Sequence, residues 1–267
     1  MTAVLDTPVP VPTTATTRAP VPIGRLVAVE LRKMFDTRAG FWLMAAIGIA
    51  NVLATVAVIA FAPAKSQTYD NFAAAIGFPM AVILPMIAVL AVTGEFSQRT
   101  GLTTFTLVPR RGRVLVAKAL ASLAVAVASM VFAFGVGAVG NLVGTAISGA
   151  TTVWDITLVH AATIVLANII GMTIGFALGV VIRNSPGAIV GYFVISLVLP
   201  TVFGLLAGLQ SWFRDLRPWV DLNFAQSALF SGSVSATQWA HLAVTAVLWL
   251  VVPIALGVRT VLRAEIT

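Results

Sequence analysis

The stretch "FWLMAAIGIANVLATVAVIAFA", residues 41–62, carries no charge, and its only polar side chains are Asn51 and Thr55. Coiled as a helix it is long enough for a hydrocarbon core, which needs about 20 residues. Five more apolar runs follow, at about 72–92, 114–139, 158–182, 188–209 and 239–258. The chain has 267 residues, 59% of them hydrophobic and only 9% charged. Its mean hydropathy is +1.02. Soluble domains have under half apolar and about a quarter charged residues, so the solvent for this fold is lipid. Irregular backbone cannot face lipid unpaired, and alternating strand patterns are absent. The expected fold is therefore all-α, a polytopic membrane protein with six transmembrane helices. An even number of spans puts both ends on one side.

Lysine and arginine say which side. Arg18, Arg25, Arg32, Lys33 and Arg38 precede the first span. Arg99, Arg110, Arg111, Arg113 and Lys118 fall between or just beyond spans two and three. Arg183 follows span four, and Arg259 and Arg263 end span six. The remaining loops hold only Lys65, Arg214 and Arg217, against Asp70, Asp155, Asp215 and Asp221. The positive-inside rule then places both termini in the cytoplasm. The net charge of +7 follows from topology, and scattered rim charges without a recognisable fold give no reason to expect nucleic acid. With no cysteine, disulfide and thiolate chemistry are excluded.

Residues 1–22 are rich in proline, threonine, valine and alanine, which predicts a disordered cytoplasmic tail ahead of a single membrane domain at 23–267. From Ile23 to Arg38, Ile23, Leu26, Val27, Leu31, Met34 and Phe35 recur at helical spacing, with Arg25, Glu30, Arg32, Lys33 and Asp36 between them. That pattern predicts an amphipathic entry helix at the headgroup boundary, its basic residues meeting anionic lipid or a cytoplasmic partner.

Between spans two and three lies "GEFSQRTGLTTFTLVPRRGR", residues 94–113. Orientation needs only a few basic residues, and this loop also holds Phe96, Leu102, Phe105, Leu107 and Val108. A short helix across the cytoplasmic face accounts for both sets. Leu102 and Phe105, three apart, fill a partner's groove, while Glu95 and Arg99, four apart, make polar contacts.

The order of "ELRKMFDTRAGFWL", two spans, and "GEFSQRTGLTTFTLVPRRGRVLVAKALA" resembles the membrane subunits of type-2 ATP-binding-cassette (ABC) exporters, over about residues 23–263. The resemblance implies that the 94–113 segment is a coupling helix docked on a cytoplasmic ABC ATPase. Its coupling residues would be Glu95, Arg99, the turn at Thr100, Leu102, Phe105, Arg110, Arg111 and Arg113, helped by Arg32 and Lys33 of the entry helix. It also implies two ATPase copies, a second copy of this subunit or a homologous permease, and short extracellular helices between spans five and six. The chain has no G-x-x-x-x-G-K-[ST] stretch, so it is expected to bind no cofactor; ATP and Mg belong on the partner. No Ser-His-Asp, carboxylate-pair or metal constellation points to an enzyme.

Within the spans, Asn51 and Asn168 fall near the midplane, where an amide can meet substrate or bond a neighbouring helix; Phe203 of span five joins them as a candidate for the substrate path. Gly171, Gly175 and Gly179 share one face of span four and suit either close packing or a sliding surface. Pro79, Pro85, Pro200 and Pro253 predict kinks. Lys118 is expected to snorkel to the interface. His160 and His241 sit at similar depth, open to incidental, pH-sensing or metal roles. The aromatic and charged run "SWFRDLRPWVDLNFAQSALFSGSVSATQ" between spans five and six reads as an interfacial belt or an outer gate. The function expected is the permease of a bacterial plasma-membrane ABC exporter for an amphiphilic drug, antibiotic, peptide or lipid. An ion-coupled secondary transporter and a non-transporting sensor or assembly factor are the alternatives.

Overall fold

A computed structural model describes residues 21–97 and 111–263. Every regular element among them is helical, and six helices are long and apolar enough to cross a membrane. The expected tail lies almost wholly outside the described residues, as do Arg99, Thr100, Leu102, Phe105 and Arg110.

The entry helix is Ile23–Asp36 and the first span Arg38–Phe61. Thr37 between them is extended, and its hydroxyl accepts the Gly40 N–H at 3.1 Å, so one residue both turns the chain and caps the span. The corner is tight enough to need a glycine. A Cβ on Gly40 would stand 1.9 Å from the Met34 carbonyl oxygen.

Span two is Tyr69–Ser97 and span three Arg111–Ser148. Span three continues well past the expected stop at 139, to a length of about 57 Å. Hydropathy falls there because Gly140, Asn141, Gly144 and Thr145 replace large apolar residues, yet these residues do the packing. A Cβ on Gly140 would meet Thr55 Cγ2 at 2.4 Å and the Phe72 ring at 2.9 Å; one on Gly144 would meet Gln67 Oε1 at 2.8 Å. Asn141 donates to Val153 O at 2.9 Å, drawing the following connection over the helix end.

Span four, Leu158–Ile182, is the most enclosed, and its glycine face lies on span two. Cβ atoms on Gly175 and Gly179 would come within 2.5 Å of Pro85 O and 3.0 Å of Val92 Cβ. The structure thus uses the stripe for close packing. Spans five, Ser185–Leu209, and six, Ala236–Arg263, complete the bundle, and span five is the least enclosed.

Both of the last spans widen at mid-length into a single π turn, Val194–Val198 and Val247–Val251. Each turn ends two residues before a proline, in "VISLVLP" and "VLWLVVP". Proline lacks an N–H, and its ring crowds the carbonyl four residues earlier. The helix adapts by letting the residue before proline bond five back: Leu199 N–H to Val194 O, and Val252 N–H to Val247 O. The prolines expected to kink these spans act through that widened turn.

Two buried clusters result. Ile47, Met80, Leu84, Met130 and Phe176 hold spans one to four together. Ile170, Tyr192, Leu222, Leu229 and Leu250 join spans four to six with the segment between spans five and six.

Candidate functional site

At the entry-helix end, the segment 98–110 is bracketed by the last turn of span two, which carries Glu95, and the first of span three, which carries Arg111. The entry helix is tied to both flanks. Glu30 is buried on its inner face together with Met34. One carboxylate oxygen receives Lys118 Nζ of span three at 2.7 Å, the other Lys33 Nζ at 2.8 Å. Lys118 also donates to Ala91 O of span two at 2.8 Å. Three elements therefore meet at one ammonium. This corrects the expectation for Lys118: its side chain is 3% exposed and points into the protein, because an acid waits there and a span-two carbonyl also accepts from it. Arg113 makes the second tie, donating to Val21 O at 2.7 Å. Arg32 faces outward, 3.8 Å from Asp36.

The signal for this cluster was present in the residues. Glu30 falls on the stripe of Val27, Leu31 and Met34, and Lys118 inside an apolar run. Each is an oddity that the other explains.

At the opposite end, residues 211–230 fold as a hairpin of two short helices, Ser211–Val220 and Leu222–Ser227, which turns back along the bundle. Gln226 donates to Ala167 O at 2.9 Å, about 14 Å along span four from its first residue. Trp249 Nε1 donates to Val220 O at 2.8 Å, about 20 Å along span six. Asn223 Nδ2 donates to Ile195 O at 3.1 Å. That carbonyl is free because Leu199 N–H has gone to Val194 and Pro200 has no N–H. Short helices were expected here, and the two observed are carried by their hydrogen bonds deep beside the spans rather than along the rim.

The hairpin's turn holds Asp221, 2% exposed in its side chain. One oxygen accepts the Phe224 N–H at 3.1 Å and the other Arg217 Nε at 3.0 Å. Asp221 reaches mid-span depth on a connection, next to the Val220 carbonyl bonded by Trp249, and a span-by-span reading passes over it. Where the hairpin returns to the rim, His160 Nε2 meets Phe230 O at 3.1 Å, with Asp70 3.8 Å from Nδ1. His241 stacks edge-on against Trp219. No group of three His, Asp or Glu able to hold a metal occurs among the described residues.

Of the path candidates, Phe203 is half-buried with its ring 5.4 Å from Phe213 of the hairpin. Asn51 is fully buried, and neither amide atom has a partner among the described residues. Asn168 donates to Ile164 O at 3.0 Å and leaves its oxygen unpaired. The structure does not bring these three together.

A search of curated proteins returns no match at the threshold applied. The sequence pattern of the ABC-2 family transporter proteins, in contrast, matches residues 37–266, from the corner ahead of the first span to the end of the last. Six membrane-length helices, an entry helix tied to the flanks of the 98–110 segment, and this match over most of the chain agree: the protein belongs to the ABC-2 transporter family, as a multi-pass membrane permease subunit.

Proposed function

We propose that this permease is the transmembrane half of a bacterial plasma-membrane exporter for an amphiphilic substrate, powered by a separate ATPase present in two copies. Both termini lie in the cytoplasm. ATP and Mg bind on the ATPase; a second copy of this chain, or a homologous permease, completes the path. Drug, antibiotic, peptide and lipid all fit the apolar spans.

The observation that carries this reading is the tie at Glu30, Lys118 and Ala91 O. A push on segment 98–110 reaches span two and span three at once, and the buried ion pair passes it to the entry helix. Glu95, Arg99, Thr100, Arg110 and Arg111 supply polar contacts to the ATPase, with Arg32 and Lys33 beside them. Phe203, against the hairpin, lies on the path. Asn51 and Asn168, buried within one subunit, join it when the helices part.

The two acids buried among the described residues, Asp221 and Glu30, each serve as ties within the chain, to Arg217 and the Phe224 N–H and to Lys33 and Lys118, which favours the ATP-driven reading.

The test is association with the ATPase. Truncating Leu102 and Phe105 together to Ala should cost about 2–5 kcal/mol of binding, since roughly 25 cal/mol per Å² is lost at an interface anchor. Insertion should be unchanged, because no basic residue is touched. Undiminished co-purification of the ATPase with an inserted double variant would refute the docking role.

A further inference from the structure

The hairpin's first helix carries two arginines, and the pairing of Arg217 with Asp221 engages only one edge of one of them. Arg214 and Arg217 are three apart and so share a face, against the end of span five. Arg214 Nε donates to Ala207 O at 3.1 Å. Arg217 lies one turn deeper, its guanidinium nitrogens 3.7 Å from where a Cβ on Gly204 would stand and its carbon 4.7 Å above the Phe224 ring. A Cβ on Gly208 would meet nothing within 4 Å. Gly204 thus lets the Arg217 guanidinium lie close against span five, and the surface over Gly208, one turn further out, is open.

Each guanidinium is held by one edge only. Nε is engaged in both, by a carbonyl in Arg214 and by Asp221 in Arg217, and no described residue accepts from their Nη groups. Asp221 neutralises one of the charges. Asp215 is exposed and lies about 100° round the helix from Arg214 and about 200° from Arg217, off their shared face. Two pre-oriented guanidinium edges one turn apart match a tetrahedral oxyanion, which accepts paired N–H donors better than a single ammonium can supply them. Around them, Trp212, Leu216, Trp219 and Phe224 are exposed, and span five presents Val202, Leu205 and Leu209 without protein cover. A charged head and an apolar tail are thus provided for side by side.

We propose that Arg214 and Arg217, with Gly204 and Gly208, form a binding site for the phosphate-type headgroup of an amphiphile. The head is held by the Nη groups and the chain lies along span five. The substrate class this suggests for the transporter rests on the reading above, but binding itself does not.

The full-length chain in a maltoside detergent, titrated with dioctanoyl phosphatidic acid and followed by native mass spectrometry, tests the site. Dioctanoyl phosphatidylcholine is the zwitterionic control. Phosphatidate should bind at least tenfold tighter. Arg214→Gln, which touches no buried pair, should weaken it about tenfold, as a lost charge-assisted hydrogen bond does. Arg217→Gln would strand Asp221, so it is made together with Asp221→Asn and should weaken binding about as much. Lys65→Gln, a basic change elsewhere at the same end, should have no effect. Equal affinity for the two lipids, or wild-type affinity in Arg214→Gln, overturns the proposal. Adding the ATPase with ATP separates two sources of the same head. Release of phosphatidate marks it as cargo, and unchanged occupancy marks a bilayer lipid held at the site. Failure of any ATPase to associate would sink the transport reading while leaving the lipid comparison intact.

Discussion

Glu30 and Lys118 bind each other at the cost of two desolvated charges, and which partner is removed decides the outcome. Lys118→Met leaves Glu30 with Lys33 and should destabilise the chain by about 3 kcal/mol. Glu30→Ala takes from the buried ammonium the carboxylate that binds it at 2.7 Å and should cost more, up to about 5 kcal/mol. Glu30→Gln combined with Lys118→Met should recover most of either loss, measured by thermal unfolding in detergent. Glycines give a second contrast at this scale. Gly175→Ala would drive a methyl group to 2.5 Å from Pro85 O, a backbone atom that cannot rotate away, and should cost about 1–3 kcal/mol. Gly24→Ala meets nothing within 4 Å and should be neutral or slightly stabilising through helix propensity. Similar losses at both positions would mean that the span-four stripe is not closely packed.

At the scale of elements, the prolines of spans five and six and the hairpin are one device. Proline makes the π turn, the π turn frees the Ile195 carbonyl, and Asn223 satisfies it. Asn223→Leu removes the donor and leaves that carbonyl buried without a partner, so a loss of about 1–3 kcal/mol is expected, with the hairpin becoming more accessible to protease. Unchanged stability and protection would show that the carbonyl has found another donor. The prolines were legible in the sequence; the widened turns were not. Local propensity predicts a break, whereas the form of the break depends on whether a donor arrives from elsewhere, here from a residue nearly thirty positions away. Span three differs for a related reason. Hydropathy saw glycine and asparagine after 139 as an ending, yet Gly140 and Gly144 prolong the helix by seating Phe72 and Gln67.

For the whole molecule, the distribution of basic residues predicts that tags at the amino terminus and at Thr267 are both protected in sealed cells, and that one at Ser231 is accessible. Opposite accessibility of the two ends would break the six-span topology. Sequence alone determined the solvent, the all-helical class, six spans, the entry helix and the order of elements that places the chain in its family. These depend on composition and periodicity, which lipid reads locally along the chain. Tertiary structure decided what the ionisable residues do. A span-by-span reading sends Lys118 to the interface and leaves Asp221 in a loop. Folding buries both, because Glu30 and Ala91 O meet the first, and because the hairpin carries the second inward to Arg217 and the Phe224 N–H. A charge's place in a membrane protein is set by the partner that desolvates with it, and that partner lies far off along the chain.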